Sequence, residues 1–302
     1  MEGLRKVFRV FRWNMLQLIV ERIFEGFIIN VLGAINMKVA IQHNENKQTL
    51  AVVKKLKKLL IQADIEINQL DPDILVTVGG DGTLLSGFHR YAHQLDTIRF
   101  IGVHTGHLGF YTDWREFELE LLVESIKNDD GEYVAYPLLD VSVSYEGDRQ
   151  NNNFIALNES TIQKVGGTLV SDVYINDHHF ERFRGDGILV STPTGSTGYN
   201  KSVGGAVLHP SLKALQMAEI ASINNRVYRT LSAPMIIAEN EEINLRLLEK
   251  QDVLLTLDHI TTTEMAVKNI RMKIAKEEIR FARYRHTHFW DRVSDAFIGE
   301  KI

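Results

Sequence analysis

The 302-residue sequence contains no cysteine and only five prolines. Without cysteine, the chain can form neither a disulfide framework nor a Cys-ligated zinc or iron–sulfur site, and a reducing compartment, the cytoplasm, is expected. The formal net charge of −5 argues against bulk electrostatic binding to nucleic acid, which requires clustered Lys and Arg. We therefore expect no nucleic-acid partner, and any anionic ligand has to be bound by local groups.

Long uncharged apolar runs are also absent, although residues 1–36 form an amphipathic N-terminal extension with several basic residues. Charges at Glu21, Arg22 and Glu25 interrupt its apolar stretches, so no run reaches the roughly 20 residues of a bilayer-spanning helix. The order of its charges is not that of a signal peptide. We interpret 1–36 as a peripheral appendage or an upstream extension of the reading frame, with the fold beginning at Met37. A membrane-surface helix is the alternative, and no membrane partner is expected.

The next hundred residues alternate between strand-like and helix-like patterns. Buried strands are predicted at 37–43, 74–78 and 98–103, and apolar spacing predicts helices at about 52–63, 83–94 and 115–128. Alternation of this kind implies a mostly parallel sheet with helices packed on its faces. The first part of the chain is therefore expected to be an α/β unit.

Near Pro137 the pattern changes to strand-like runs with little helix between them, such as "LLDVSVSY" and "LVSDVYIND". These runs predict a β-rich region with two packed sheets. One helix is predicted inside it, at about 211–224, and the tail "HFWDRVSDAFI" returns to helical spacing. The sequence thus combines an α/β part with a β part.

The strand at 74–78 runs into "GGDGT", a motif that places one carboxylate among glycines. Open α/β sheets bind ligands at the carboxyl ends of their strands, and glycine lets a phosphate or ribose approach the backbone. Thr83 is expected to cap the next helix, whose amide-rich start favours anions. Because Asp81 would repel a bare phosphate, we expect it to accept a proton from a hydroxyl, to hold a magnesium ion, or both. The alternative is a strand-to-helix turn in which Asp81 only caps amides.

A second polar group, "NES" at 158–160, interrupts an otherwise apolar strand. Buried amides and carboxylates are costly unless they are bonded. An amide such as that of Asn158 suits a purine edge, and a carboxylate such as that of Glu159 suits a ribose diol. The alternative is an internal polar network that bridges strands.

The densest stretch is "RGDGILVSTPTGSTGYNKS" at 184–202. It offers backbone amides, hydroxyls and one aromatic face within a few residues, as adenosine and pyrophosphate require. An ordinary Ser/Thr-rich loop is the alternative. A further glycine-rich strand exit, "HTGHLGF" at 104–110, ends at Phe110, which either lines an adenine pocket or belongs to the core.

Together, "GGDGT", "LGF", "NES" and "GDGILVSTPTGSTGY" resemble the NAD kinase family, from about Met37 to the end of the chain. "GGDGT" alone is shared with diacylglycerol and sphingosine kinases and 6-phosphofructokinases, whereas the long last motif is specific. The resemblance implies a Rossmann-like N-terminal domain at 37–136, completed by the C-terminal tail at 270–302. It also implies a β-sandwich, NAD-binding C-terminal domain at 137–269, with the NAD site between the two.

The resemblance also assigns roles to residues at matching positions. Asp81 corresponds to the proton acceptor for the 2′-hydroxyl of the adenosine ribose, and Arg184 and Asp186 correspond to residues contributed across a subunit boundary. The remaining nucleotide-binding residues implied are Gly82, Phe110, Asn158, Glu159, Thr197, Gly198, Tyr199, Asn200, Lys201, Ser202, Ala221 and His259. The chain departs from the family pattern at Gly198, where Ala is common, at His104, where Asn is common, and at His259, where Gly is common.

The implied reaction is transfer of the γ-phosphoryl group of ATP to NAD, giving NADP, with Mg²⁺ or another divalent cation accompanying ATP and no dedicated protein metal site. A homodimer or homotetramer is expected. Two alternatives stay open from the residues themselves. One is a lipid or other small-molecule kinase of the same superfamily, and the other is a non-enzymatic NAD-binding regulator.

Overall fold

The computed structural model describes residues 37–106, 108–147, 149–285 and 287–299, so the predictions for 1–36 lie outside the described residues. Its first part is a parallel sheet in the order β2-β1-β3-β4. These strands are β1 (Lys38–His43), β2 (Glu66–Ile67), β3 (Ile74–Val78) and β4 (Arg99–His104). The helices between and after them are α1 (Lys47–Gln62), α2 (Asp81–Tyr91) and α3 (Leu119–Lys127).

Helices cover both faces of this parallel sheet because its central strands are apolar on both sides. Along β3, Ile74, Val76 and Val78 join the cluster that α1 and α3 fill, whereas Leu75 packs with α2 on the opposite face. All five residues of β3 are buried. The predicted α/β unit is thereby confirmed, and its strands deliver their carboxyl ends to one edge of the sheet.

The second part is rich in antiparallel strands around a separate apolar core. Its strands are β6 (Tyr133–Tyr145), β7 (Asn152–Ala156), β8 (Glu159–Lys164), β9 (Leu169–Ile175), β10 (His178–Gly185), β11 (Gly187–Ser191), β12 (Ala214–Ile220), β13 (Met235–Ala238), β14 (Ile243–Leu257) and β15 (Ile260–Ala282). The short strand β5 (Trp114–Arg115) belongs to the first part, where it pairs with β4. Short helices occur at Ala92–Gln94, Thr194–Thr197 (both 3₁₀) and α4 (Tyr199–Ser202), and α5 (Phe289–Phe297) ends the described chain.

The tail joins the two parts. Strand β15 pairs with β14 and β6 along most of its length and then pairs in parallel with β4, where Phe281 lies opposite Phe100. The predicted return of the tail to the N-terminal region is confirmed, as is its terminal helix. Because β15 is continuous, the boundary predicted between 269 and 270 falls inside one strand, and the domain limits remain a prediction.

Three local predictions were wrong. The helix predicted at about 211–224 is instead strand β12, which buries Leu215 and Met217 in the β-rich core between β11 and β13; strand pairing overrides the helical preference of Ala, Leu and Met. Helix α2 begins at Asp81 with Gly80 at the N-cap position and no side-chain cap, so Thr83 lies in its first turn. Helix α3 begins at Leu119 rather than near Arg115. Within the described part of the chain, every helix is too short or too polar to cross a membrane.

Candidate active site

Asp81 lies at the carboxyl edge of the parallel sheet, as the first residue of α2. Its carboxylate is held by two backbone amides: Phe110 N donates to Oδ2 at 3.0 Å, and Tyr111 N donates to Oδ1 at 3.1 Å. A Cβ at Gly80 or Gly82 would meet no atom within 4 Å. The glycines around Asp81 therefore leave one side of the carboxylate open, while the other side is fixed by the loop after β4.

That loop, residues 108–113, approaches Asp81 closely because it contains Gly109. A Cβ at Gly109 would come within 2.8 Å of Cγ of Asp81 and closer still to Oδ1. The loop also reaches the β-rich part, since the Tyr111 hydroxyl donates to Oδ1 of Asn158. Burial, and then the negative charges of Asp81, Asp258 and Glu159, raise the pKa of Tyr111, so its hydroxyl stays a donor. One loop thus links the two predicted site segments.

A buried carboxylate, Asp258, positions the "NES" segment from behind. Oδ1 of Asp258 accepts the amide of Asn158 at 2.6 Å and that of Glu159 at 3.3 Å, and Oδ2 accepts the amide of Leu157 at 3.0 Å. Nε2 of His89 on α2 lies 2.7 Å from Oδ2. The segment is therefore anchored to the helix that begins with Asp81.

Glu159 carries a buried carboxylate oxygen, Oε2, that has no hydrogen-bond partner among the described residues. Glu159 as a whole is 9% exposed. Burial raises the pKa of Glu159 to about 8, and the charge of Asp258 adds to the shift. A Cβ at Gly198 would lie 3.3 Å from Oε2, so Glu159 and the following turn face one another. A buried polar atom without a partner indicates a place for a ligand hydroxyl.

The turn after β11 packs directly on the "NES" backbone. A Cβ at Gly195 would lie 2.6 Å from the Cα of Asn158, which only glycine tolerates. Tyr199 is 43% exposed at the start of α4, and Nζ of Lys201 lies 4.3 Å from the ring centre of Phe297. Among the other predicted residues of this turn, Thr197 is half-buried and Gly198 and Ser202 are exposed, whereas Asn200 is fully buried. Asn200 bonds the carbonyls of Ser196 and Ala206 inside the turn, an internal bracing role.

His259 lies in the β14–β15 hairpin and contacts α2. Its Nε2 is 3.5 Å from Oγ of Ser86, which donates to the carbonyl of Gly82 at 3.1 Å. Burial, and then the neighbouring His89, lower the pKa of His259. A neutral imidazole next to Gly82 fits an uncharged part of a nucleotide better than a phosphate.

Arg184, Asp186 and Ala221 lie together near Gly187, at the opposite end of β11 from Ser191, the residue that pairs with Glu159. The Asp186 amide donates to Ile220 O at 3.0 Å, next to Ala221, and the Arg184 guanidinium lies 4.3 Å from the ring centre of Tyr228. Within the described residues, no hydrogen bond or ion pair joins Arg184 or Asp186 to Asp81 or Glu159. This separation is compatible with the prediction that they act across a subunit boundary.

A narrow cavity of about 40 Å³ adjoins the 108–113 loop. Aromatic side chains and arginines of the tail form most of its wall, including Phe110, Tyr111, Tyr136, Phe281, Arg283 and Arg292. Phe110 also contacts the aromatic rings of α5, with a centroid separation of 5.8 Å to Phe297. Phe110 is therefore both a cavity wall and part of the packing of the tail.

Sequence reasoning missed several residues that build this site. Tyr111, His89 and Asp258 make bonds between the α/β part and the β-rich part, and Gly109 and Arg292 shape the loop behind Asp81. The only signal in the sequence was that two of them adjoin predicted site residues: Tyr111 follows Phe110, and Asp258 precedes His259. Their partners are distant in the chain, so no local pattern could have assigned them.

Comparison with known proteins identifies the family. The ATP-NAD kinase N-terminal domain matches residues 9–131, and the ATP-NAD kinase C-terminal domain matches residues 155–283. The NAD kinase of Lacticaseibacillus paracasei is 57% identical over 265 residues, covering 88% of this chain and 100% of the relative. The NAD kinase of Enterococcus faecalis is 53% identical over 264 residues, covering 87% of this chain and 100% of the relative. The fold and cleft are those of a nucleotide-binding protein with a glycine-ringed acidic group. The chain belongs to the ATP-NAD kinase family.

Solved structures support the same fold at lower identity. The yeast NADH kinase complexed with NADH superposes with a TM-score of 0.76 at 19% identity, covering 87% of both chains. An NAD kinase from Archaeoglobus fulgidus in complex with ATP gives a TM-score of 0.65 at 22% identity, covering 82% of this chain and 94% of the other. The predicted fold class is therefore confirmed.

Proposed function

We propose that this chain is an NAD kinase that transfers the γ-phosphoryl group of ATP to the 2′-hydroxyl of the adenosine ribose of NAD, giving NADP. Family membership with relatives above 50% identity supports the overall reaction. The observation that carries the residue roles is the position of Asp81. Its carboxylate is fixed by two loop amides on one side and open on the other, and the same loop is bonded to Asn158.

Asp81 accepts the proton of the 2′-hydroxyl as the bond to phosphorus forms. The transition state of phosphoryl transfer is loose, so positioning and charge neutralisation contribute most of the rate, and the base supplies the rest. The two amide bonds hold the carboxylate in one orientation before the substrate arrives. Gly82 leaves room for the ribose to approach that carboxylate.

The β-rich side binds the adenosine. The unbonded Oε2 of Glu159 accepts a ribose hydroxyl, and Asn158 contacts the nucleotide beside it. The residues from Thr197 to Ser202 form the wall over the adenosine, with Tyr199 as its exposed aromatic face. Within that turn, Asn200 acts by bracing the backbone. His259, through its contact with Ser86, and Phe110, through its bond to Asp81, border the same space.

Asp81 could hold Mg²⁺ only together with the phosphates of ATP. Among the described residues no group of three His, Asp or Glu side chains is placed to hold a metal ion. Each oxygen of Asp81 accepts one amide and keeps a further lone pair, so Asp81 offers at most one or two ligand atoms. Magnesium sites of kinases use few carboxylates together with substrate phosphates and water. The ion would neutralise charge on the transferred phosphoryl group.

The assembly we propose is a homodimer or homotetramer in the cytoplasm. Arg184 and Asp186 lie outside the cleft of their own chain, and neighbouring apolar side chains such as Val227 and Leu231 are exposed. A second copy packed there would bring Arg184 and Asp186 to its own nucleotide. Mixing inactive Asp81→Asn chains with inactive Asp186→Ala chains should restore part of the activity if the residues act across a boundary.

The direct test of function is incubation of the purified chain with NAD, ATP and Mg²⁺, followed by an NADP-specific assay. NADP should accumulate only when all three are present. Reactions with diacylglycerol in place of NAD serve as the matched control for acceptor. NAD binding without NADP formation, or transfer to the lipid alone, would contradict the proposal.

A further inference from the structure

The C-terminal helix contributes a buried arginine to the back of the site. Arg292 is 7% exposed, and it is buried on α5 together with Phe289. Burying a guanidinium is costly unless its N–H groups are bonded. The partners of Arg292 therefore indicate what the side chain does.

Three bonds join Arg292 to the 108–113 loop. Nη1 donates to the carbonyl oxygen of Gly109 at 2.7 Å and to that of Thr112 at 2.8 Å. Nη2 donates to Oδ1 of Asp113, with which it forms an ion pair. The planar guanidinium meets several acceptors at fixed angles, which a lysine ammonium does not reproduce. The tail consequently fixes the loop at both of its ends.

One of these bonds shares a peptide group with a bond to Asp81. The carbonyl of Gly109 and the N–H of Phe110 belong to the same planar unit. The carbonyl accepts from Arg292, and the N–H donates to Oδ2 of Asp81 at 3.0 Å. Rotation of that plane would weaken both bonds, and a donor on the carbonyl also strengthens the N–H as a donor.

We propose that Arg292 is a positioning residue for phosphoryl transfer, which sets the plane of the Gly109–Phe110 peptide and thereby the orientation of the Asp81 carboxylate. This inference rests on the proposed role of Asp81. Arg292 acts through the loop, because its bonds are directed to Gly109, Thr112 and Asp113. The C-terminal helix is thus a part of the catalytic machinery rather than a cover over the sheet.

The test is a double-mutant cycle between Arg292→Gln and Asp81→Asn, measured by NADP formation at saturating ATP. In the wild-type background, Arg292→Gln should lower kcat by about 10- to 100-fold, while the KM for NAD changes by less than about threefold. In the Asp81→Asn background the same substitution should lower kcat by less than about threefold, because the carboxylate that Arg292 positions is already lost. Arg292→Lys should retain an intermediate rate.

The cycle also separates this inference from the proposed function. If Asp81→Asn alone keeps most of its turnover, the roles of Asp81 and of Arg292 are both refuted, whereas the formation of NADP still supports NAD kinase activity. If Asp81→Asn is strongly impaired but Arg292→Gln costs the same in both backgrounds, Arg292 contributes only to folding, and the positioning role is refuted. A raised KM for NAD with unchanged kcat would instead assign Arg292 to substrate binding and equally refute it.

Arg99→Gln is the matched control for damage to the fold. Arg99 forms a buried pair with Asp129, at 2.5 Å, at the opposite end of β4. Its loss should lower the melting temperature without lowering kcat of the folded enzyme. Hydrogen exchange supplies a readout independent of activity: the amides of Phe110 and Tyr111 should exchange faster in Arg292→Gln but not in Arg99→Gln. Equal exchange of these amides in wild type and Arg292→Gln would overturn the proposal.

Discussion

The two carboxylates that we assign to the nucleotide site, Asp81 and Glu159, have opposite surroundings. Asp81 accepts two backbone amides and is half-buried at a helix start. Glu159 is almost fully buried, its Oε2 has no partner among the residues described, and its pKa is raised to about 8 by burial and then by Asp258. The carboxylate of Asp81 has hydrogen bonds to both oxygens before a ligand arrives, whereas that of Glu159 has an oxygen without a hydrogen bond.

This difference shows how a carboxylate can serve either as a proton acceptor or as a group that recognises a hydroxyl. A group that acts on a moving proton benefits from an orientation fixed in advance, since reorganisation during the reaction is then avoided. A group that recognises a hydroxyl gains most when the hydroxyl supplies the missing bond, because an analogue without it leaves a buried polar atom unpaired. We therefore expect substitutions at Asp81 to affect turnover and substitutions at Glu159 to affect binding.

The largest expected effect is that of Asp81→Asn. The amide keeps the size of the side chain but cannot act as a base, so turnover should fall by roughly 10²- to 10⁴-fold. NAD affinity, measured by calorimetry in the absence of ATP, should stay within about threefold because binding depends on the opposite wall. A loss of turnover of only a few fold would remove Asp81 from its assigned role and erase the contrast with Glu159.

Gly109→Ala should have the next largest effect, although it leaves both carboxylates in place. The added methyl group would overlap with Oδ1 of Asp81. A displacement of about 1 Å at a catalytic group can cost roughly 10²-fold in rate, so kcat should fall by that order. Gly106→Ala is the matched control, because a Cβ there meets no atom within 4 Å. Equal kcat values for the two variants would show that Asp81 tolerates movement.

The sequence was sufficient to predict the parallel sheet and the acidic residues, because both have local signals. Strand β3 is an uninterrupted apolar run, and Asp81 follows it among glycines. Strand β12 was mistaken for a helix, since its pairing with β11 and β13 is invisible in a short segment rich in good helix formers.

The supporting contacts could not be predicted from local patterns. Arg292 lies on an amphipathic helix, where an arginine is ordinarily solvated, and its acceptors Gly109 and Thr112 are about 180 residues earlier in the chain. Asp258 binds the amides of "NES" from about 100 residues away. Such partners follow from the topology, which brings the β14–β15 hairpin and the tail to one edge of the parallel sheet.

Glu159→Gln should have an intermediate effect, on NAD binding and its pH dependence. If a ribose hydroxyl donates to the Glu159 carboxylate, NAD stabilises the charged form and must lower its pKa from about 8. By linkage, the wild-type KM for NAD should then fall as pH rises from about 7 and level above pH 8. The variant should show a flat profile with a KM about 10-fold higher at pH 8.5, and a smaller change in kcat.

The measurement is initial-rate kinetics at saturating ATP across that pH range. Asp81→Asn provides the contrast, since it should keep the wild-type pH dependence of NAD binding measured by calorimetry. Parallel pH profiles for wild type and Glu159→Gln would show that the carboxylate makes no contact with the nucleotide. The unbonded oxygen would then be a feature of the core alone.

The effect furthest from the reaction is a gain in stability of Glu159→Gln without ligand. Unfolded Glu loses its proton near its ordinary pKa of 4.5, whereas folded Glu159 retains it up to about pH 8. The wild type therefore has its full stability below about pH 4.5 and loses stability as pH rises to about 8. The stability of the glutamine variant does not depend on this titration. By pH 8 the variant should be more stable than the wild type in urea denaturation by up to about 4 to 5 kcal/mol, a difference that vanishes near pH 4.5. Glu124→Gln, at an exposed position on α3, controls for removal of one charge. A difference from wild type that does not change with pH would mean that Glu159 is charged in the folded protein, and the contrast with Asp81 would then rest on geometry alone.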